Sequence, residues 1–432
     1  MPIPTVREFR QTAIMGLRRS ATRLVAAGGD PAAKVLGHRP LPDPHPFYDE
    51  IRDRGPLYRS RLGFHVTAHH ATASAVLRDP ALLVLPGAEL GSVDWDREPG
   101  KPVAHLIEHS LLAMNPPVHT RLRRVVAPWF TPRALRTRTE QIEKTVRGCL
   151  DELAHLDEFD LVPEFAVRVP VRVICDLLAV DDSRENDFAR WGRIVGGSLD
   201  GVRSLTEWRV VAESLREMTE FFTDLIERRR AEPGEDVVSG LIAAQDSEEL
   251  TARDLVATTA LLLGAGFETT QSLIGNGVLA LLEHPVQRAA LVADPALAGN
   301  AVEEVLRWDS PVQMTARLSD KAVTVGGREL PPASAVVTLL GGANRDPEVF
   351  ADPHRFDITR ANARDHLAFS SGAHYCLGAG LARMEGEIAL RELFGRYPDL
   401  SAAGAARRGP SRTLHGLLSL PVRTGVAKVV AT

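Results

Sequence analysis

Apolar residues recur every three to four positions over long stretches of the chain and every second position over a few short ones. RLRRVVAPWF (121–130), ESLREMTEFFTDLIERRR (213–230) and RDLVATTALLLGAGFETTQSLIGNGVLALLEH (253–284) carry the first period, as does most of 120–310 and 376–396, which predicts helices. LYRSRLGFHVTAHH (57–70), AVTVGGREL (322–330) and SAVVTLLGG (334–342) alternate with period two, and Gly326-Gly327 stands where a two-residue hairpin turn belongs. Residues 30–60 are dense in Pro and Asp before turning helical, which predicts a leading loop and a first core-packed helix. No linker, long-period repeat or low-complexity tract divides the remainder. The pattern predicts a mainly α fold with a small β region, in which a leading segment (1–29) precedes one domain (30–432).

Composition adds exclusions. At 44% hydrophobic and 25% charged the 432-residue chain has ordinary globular usage, and a net charge of -5 gives no electrostatic call for nucleic acid. Three widely spaced cysteines, Cys149, Cys175 and Cys376, argue against a disulfide framework and for a cytoplasmic protein. The strongest apolar run, Leu255 to Phe267, is too short to span a bilayer. The first 29 residues hold five arginines and one acid; an ordinary leading helix is expected there rather than an address or a membrane-surface segment.

Four segments carry candidate chemistry. In Phe369-Ser-Ser-Gly-Ala-His-Tyr-Cys-Leu-Gly-Ala-Gly-Leu-Ala-Arg383 a cysteine stands at a helix start between Gly372 and Gly378. The positive helix end would favour a metal-binding thiolate, and the glycines a close approach to a flat ligand. Cys376 could equally be a small buried hydrophobe. In Leu261-Leu-Leu-Gly-Ala-Gly-Phe-Glu-Thr-Thr270 glycines sit mid-helix, where each costs about 1 kcal/mol relative to alanine. Beside them lie Glu268, Thr269 and Thr270, and Thr269 can bond back to the carbonyl of Ala265, bending the helix. A solvated polar face is the plain alternative, and GAGFET also resembles a truncated dinucleotide fingerprint without its third glycine. Glu304 and Arg307 fall on one helix face, as a surface pair would. Met114-Asn-Pro-Pro-Val-His-Thr-Arg-Leu-Arg-Arg124 places His119 and Arg123 one turn apart, as an anion clamp or a basic surface helix.

Taken together and in order, these segments resemble the cytochrome P-450 haem-thiolate monooxygenases of the soluble bacterial kind. F-x-x-G-x-x-x-C-x-G falls on Phe369, Gly372, Cys376 and Gly378, A-G-x-[DE]-T-T on Ala265, Gly266, Glu268, Thr269 and Thr270, and E-x-x-R on Glu304 and Arg307; Ala343-Asn-Arg-Asp-Pro347 and Asp352-Pro-His-Arg-Phe-Asp357 match the stretch between. Ser370, Asn115 and His354 depart from the commonest residues without removing a required group.

The resemblance implies the family fold, haem b with Cys376 as axial thiolate of the iron, and His119, Arg123, Arg317 and His374 on the haem propionates. It implies Glu268, Thr269 and Thr270 as the acid-alcohol site that relays protons to dioxygen, with Gly266 leaving room for the oxygen. Glu304, Arg307 and Arg355 would form a buried structural triad. It further implies a monomer that receives NAD(P)H electrons through a ferredoxin and its reductase, with Arg121, Arg124, Arg133 and Arg136 as a docking patch. Leu261, Ala265, Gln313, Met314 and the loops near 85–112 and 185–205 would line an apolar pocket for a lipophilic substrate, hydroxylated or epoxidised. A dinucleotide-dependent dehydrogenase and a haem-thiolate sensor without turnover are the competing classes.

Overall fold

The computed structural model describes residues 20–425 apart from 38–40, 42, 85–109, 182–183, 203 and 248–249. Nine helices position the site: α1 (His45–Asp53), α2 (His70–Arg78), α3 (Val118–Val126), α4 (Arg168–Leu178), α5 (Glu185–Ser198), α6 (Leu205–Ala231), α7 (Ala252–Glu283), α8 (Ala298–Trp308) and α9 (Ala379–Arg396). Most of the core is built around α7, which is 32 residues long. Its start is set by a capping box: the Thr251 side chain accepts from the Asp254 N–H while the Asp254 carboxylate accepts from the Thr251 N–H. The sequence holds this signal, yet the pattern of apolar residues alone passes over it.

Helices α4, α5, α8 and α9 pack around α7. Small residues let them approach. A Cβ on Gly386 of α9 would lie 3.1 Å from Leu273, and one on Gly277 of α7 would lie 3.4 Å from Leu390. At Gly192 of α5 an added Cβ would fall 1.9 Å from the Phe267 ring, so α5 seats on α7 only because that position has no side chain.

The small sheet has five strands, β1 (Tyr58–Arg59), β2 (His65–Thr67), β3 (Leu82–Val84), β4 (Met314–Ser319) and β5 (Ala335–Leu339), in the spatial order β1-β2-β5-β4-β3. Only β2 and β5 run parallel; β4 pairs antiparallel to both neighbours, with Arg317 opposite Val84 and Val336. The predicted Gly-Gly turn joins Val323–Val325 to Arg328–Leu330, with Gly326 at φ 54° and Gly327 at φ 75°, the left-handed pair a two-residue hairpin requires. A second, smaller core of Tyr48, Ile51, Val66, Met314 and Leu339 joins this sheet to α1. The expected mainly helical fold with a small β region is what the chain adopts. Of the leading segment, residues 20–27 are helical, and 1–19 lie outside the described residues.

Candidate functional site

The loop ahead of α9 folds onto itself before it delivers Cys376. The Cys376 N–H donates to the Phe369 carbonyl (2.9 Å), and Ser370 and Gly372 take φ of 62° and 69°. Gly372 has a packing reason: a Cβ there would lie 2.6 Å from the Leu77 carbonyl at the end of α2, whereas one on Gly378 would meet nothing within 4 Å. Only Gly378, therefore, leaves open the space that a flat ligand would use. Of the three cysteines, Cys149 and Cys175 are buried and Cys376 is exposed, so the alternative of a small buried hydrophobe is overturned. Desolvation by the enclosing loop pushes the Cys376 thiol up, against the N–H groups of Gly378 and Ala379 and the charges of Arg123 and Arg383. Those donors and charges favour the thiolate, and a metal's charge beside it would add to them.

Next to this loop four basic side chains converge. The His119 ring on α3 lies 4.2 Å from the His374 ring, centroid to centroid. Desolvation, then the charges of His119, Arg317 and Arg123, pull His374 down to about 3. Arg317 is only 3% exposed, and its Nη1 donates to Thr315 Oγ1 (3.0 Å) and the Ala316 carbonyl (2.9 Å). Burial lowers it to about 10. Among the described residues no carboxylate pairs with any of the four, an arrangement that is costly unless an anion completes it. A donor set of two imidazoles and two guanidiniums fits a dicarboxylate, and hence the two propionates of a haem beside Cys376.

The middle of α7 breaks an otherwise buried helix: Ala265 and Gly266 are exposed while Leu262, Leu263, Phe267 and Thr270 are buried. Three hydroxyls bond back along it, Thr269 to the Ala265 carbonyl (3.1 Å) as expected, Thr270 to that of Gly266 (3.0 Å) and Ser272 to that of Glu268 (2.9 Å). Thr270 faces the core, which leaves Thr269 as the hydroxyl nearer the open strip. A Cβ on Gly266 would meet Ile174 of α4 at 3.4 Å, an ordinary contact, so packing on α4 does not by itself call for a glycine at this exposed position. Nor does Glu268 lie on a solvated face. Its carboxyl is turned to α5, 3.1 Å from where a Gly196 Cβ would stand. Its buried Oε2 has no hydrogen-bond partner, and desolvation raises the carboxyl to about 7, with the Arg193 charge opposing. The glycines at 264–266 sit mid-helix, where no free N–H groups exist to hold a pyrophosphate, and this removes the dinucleotide reading.

The pocket residues need correction. Gln313 accepts from the Tyr48 hydroxyl (3.0 Å) and donates to the Ser310 carbonyl (2.8 Å), so its amide is held inside the small core; Met314 packs there too. Leu261 is half-buried against the main core. Leu414, which the sequence reading missed, lies 3.0 Å from the Gly196 Cβ position, beside Glu268, and its backbone bridges to Val312. No periodicity marks it, because it comes from an irregular loop. The expected loop at 85–112 lies outside the described residues except for 110–112, whereas the expected loop at 185–205 is mostly helix, α5 over Glu185–Ser198 and α6 from Leu205, with 203 outside the described residues.

Behind the cysteine loop, Glu304 and Arg307 form a bidentate pair (2.7 and 2.8 Å), both 0% exposed. The third member is Arg360, at 3.2 Å from Glu304, and not Arg355. The Arg355 side chain is 64% exposed and pairs with Asp357 (3.4 Å); it lends Arg307 only its backbone carbonyl (3.1 Å). A second buried carboxylate, Glu303, holds His366 (3.0 Å) and Arg383 (2.8 Å). Desolvation alone would raise Glu303, but those two partners bring it down to about 2. Arg383 in turn donates to the Tyr375 hydroxyl (3.0 Å) and lies over the Phe369 ring (4.5 Å), tying Glu303 to both ends of the cysteine loop. On the surface Arg124, Arg133 and Arg136 are exposed, while Arg121 pairs with Asp254 at the start of α7 (3.4 Å) and so stands apart from a simple patch.

Comparison with known proteins agrees with this geometry. The family model described as Cytochrome P-450 matches residues 203–398. Cytochrome P-450 140 of Mycobacterium tuberculosis is 40% identical over 431 residues, 97% of this chain and 96% of that protein. The 6-deoxyerythronolide B hydroxylase of Saccharopolyspora erythraea is 44% identical over 316 residues, 72% of this chain and 76% of the relative. Among solved structures, P-450 BioI in complex with an acyl carrier protein ligated to hexadec-9Z-enoic acid superposes with a TM-score of 0.83 at 32% identity, covering 88% of this chain and 98% of that one. Among the described residues no helix is long and apolar enough to cross a membrane.

Proposed function

The chain belongs to the cytochrome P-450 family, an oxidoreductase family built on haem iron, dioxygen and outside electrons, and on that premise we propose that it is a monooxygenase acting on a lipophilic small molecule. The observation that carries the reading is the pairing of one exposed cysteine with four basic side chains that lack an anion. Cys376 would ligate the iron of haem b, and His119, Arg123, Arg317 and His374 would hold its propionates. With the haem bound, the group supplies the iron that binds and activates dioxygen.

The chain's own part is to place, dry and protonate. Phe369 and Arg383 brace the loop that presents Cys376. The open strip at Ala265 and Gly266 gives small ligands access to α7, and Thr269 offers its hydroxyl there. Glu268, raised to about 7, is poised to take up or release a proton near neutral pH, as a relay group must. An acid held neutral and without a partner serves turnover and has no use in a sensor, so catalysis is the better-supported class. Its substrate is a polyketide, terpenoid, steroid or modified peptide, hydroxylated or epoxidised, in keeping with the apolar Leu261 and Leu414 near the strip. Electrons arrive from a ferredoxin and its reductase, with Arg124, Arg133 and Arg136 as the basic face. We place the protein in the cytoplasm as a monomer.

The test is a titration of the oxidised protein with a macrolactone, a steroid and a fatty acid against a set of highly charged metabolites. A shift of the visible spectrum with one of the lipophilic compounds is the expected result. Shifts from the charged set alone would overturn the apolar pocket.

A further inference from the structure

Helix α5 roofs the open strip of α7. Against α7 it sits through Gly192 on Phe267 and Gly196 on Glu268 and Leu414, contacts without a directional bond, while its first half is tied to α4 by Glu185 and Arg172 (2.6 Å) and to α6 by Trp191 and Glu217 (2.7 Å). Two residues beyond its last turn comes Asp200. One carboxylate oxygen accepts from the Arg412 N–H (2.6 Å), and the other accepts from both the Thr413 N–H (3.0 Å) and the Thr413 hydroxyl (2.7 Å). The Arg412 guanidinium donates to the Asp200 carbonyl (2.8 Å) and to the carbonyl of Leu36 near the leading segment. The Asp200 carboxylate thus joins the end of α5 to the loop that carries Leu414, and Arg412 carries the connection on to residue 36.

We propose that Asp200 is a latch: its carboxylate, held by the Arg412 and Thr413 donors, keeps α5 and the Leu414 loop closed over the strip, and its release sets how fast bulky ligands enter and leave. The inference rests on the reading of that strip as the ligand side of the site. The chemistry is specific to a charged acceptor, because hydrogen bonds to an ionised oxygen are roughly twice as strong as those to a neutral one. An amide at 200 keeps the shape and one acceptor but loses the charge and must turn its own two hydrogens toward one of these donors, the Arg412 N–H or the Thr413 pair. Asp200 touches no reacting atom and is a positioning residue.

The test uses the haem-loaded protein as Asp200→Asn and, as a milder variant should the first fail to fold, Thr413→Val. Two quantities are read: hydrogen exchange of the backbone amides at 411–414, and the rates at which 4-phenylimidazole and cyanide bind the ferric protein. We expect exchange at Arg412 and Thr413 to rise about tenfold or more in Asp200→Asn, and both the on- and off-rates of 4-phenylimidazole to rise severalfold with its affinity nearly kept. The rates for cyanide, small enough to pass a closed roof, should stay as they are. Thr413→Val should move the same readouts in the same direction by less. Unchanged exchange would show that the carboxylate is no latch. Faster exchange with unchanged 4-phenylimidazole rates would show that the latch does not govern access. If neither ligand perturbed the spectrum of the parent protein, the haem reading would fail by itself, independently of the exchange result.

Discussion

Two buried acidic regions of the molecule, on helices α7 and α8 that pack against each other, are treated in opposite ways. Behind the cysteine loop, Glu304 has two guanidiniums and the Asp357 N–H on it, and Glu303 has a histidine and an arginine. On α7, Glu268 has an oxygen with no partner and only the charge of Arg193 nearby. The first region fixes a loop and is fully satisfied. The second is left short of partners, so that its proton stays close to exchange at neutral pH. Glu385 on α9 shares that lack of a partner, so what sets Glu268 apart is its place beside the exposed strip of α7.

Removing a satisfied acid should do the most damage. Glu304→Gln leaves Arg307 buried without its bidentate partner, and a loss of about 3–5 kcal/mol is expected, read as a large drop in the thermal midpoint or as failure to retain haem. A variant that melts like the parent would break the comparison at its firmest point.

One variant from each region tests the contrast through pH. Glu303 falls from the ordinary 4.5 to about 2 in the folded chain, so its stabilising share is complete above 4.5 and is lost as pH falls from 4.5 toward 2. Glu268 rises from 4.5 to about 7, so the fold bears no cost from it below 4.5 and an increasing cost as pH climbs to 7 and beyond. Midpoints measured from pH 3 to 8 should therefore show Glu303→Gln flattening the acid limb. Glu268→Gln should match its parent near pH 4.5 and exceed it at pH 8. Equal slopes in the two variants would mean that the two regions do not differ.

Smaller effects separate the corrected triad from the expected one. Arg360→Gln removes a bond to Glu304 and others to the carbonyls of Ala351, Asp352 and Arg355, and about 1–3 kcal/mol should go with them. Arg355→Gln alters an exposed pair and should stay within about 0.5 kcal/mol. Denaturant titrations of both decide the assignment. On the α7 side, Thr269→Ala should leave folding and haem content intact while a larger share of the reducing equivalents ends as hydrogen peroxide. Unchanged product per electron would take Thr269 out of the relay.

The helices, the Gly326-Gly327 hairpin and the Thr269 back-bond could be read from the chain because each is written in neighbouring residues. What the sequence concealed is long-range. Arg355 and Arg360 are five apart with the same chemistry, and only the turn between them decides which one reaches Glu304. Gln313 follows a helix that leads toward the site, but Tyr48, far away in sequence, captures its amide. Gly372 looked like room for a ligand and instead makes room for α2. Glu303 was hidden because Glu304 beside it carried the recognisable spacing.

The central claim is that Cys376 presents a thiolate to haem iron. The measurement that tests it most directly is the absorption spectrum of the purified protein, reduced under carbon monoxide, beside that of Cys376→His. A far red-shifted Soret band is expected in the parent and its replacement, in the variant, by the band of a histidine-ligated haem. A colourless parent, or the same spectrum from both proteins, would contradict it.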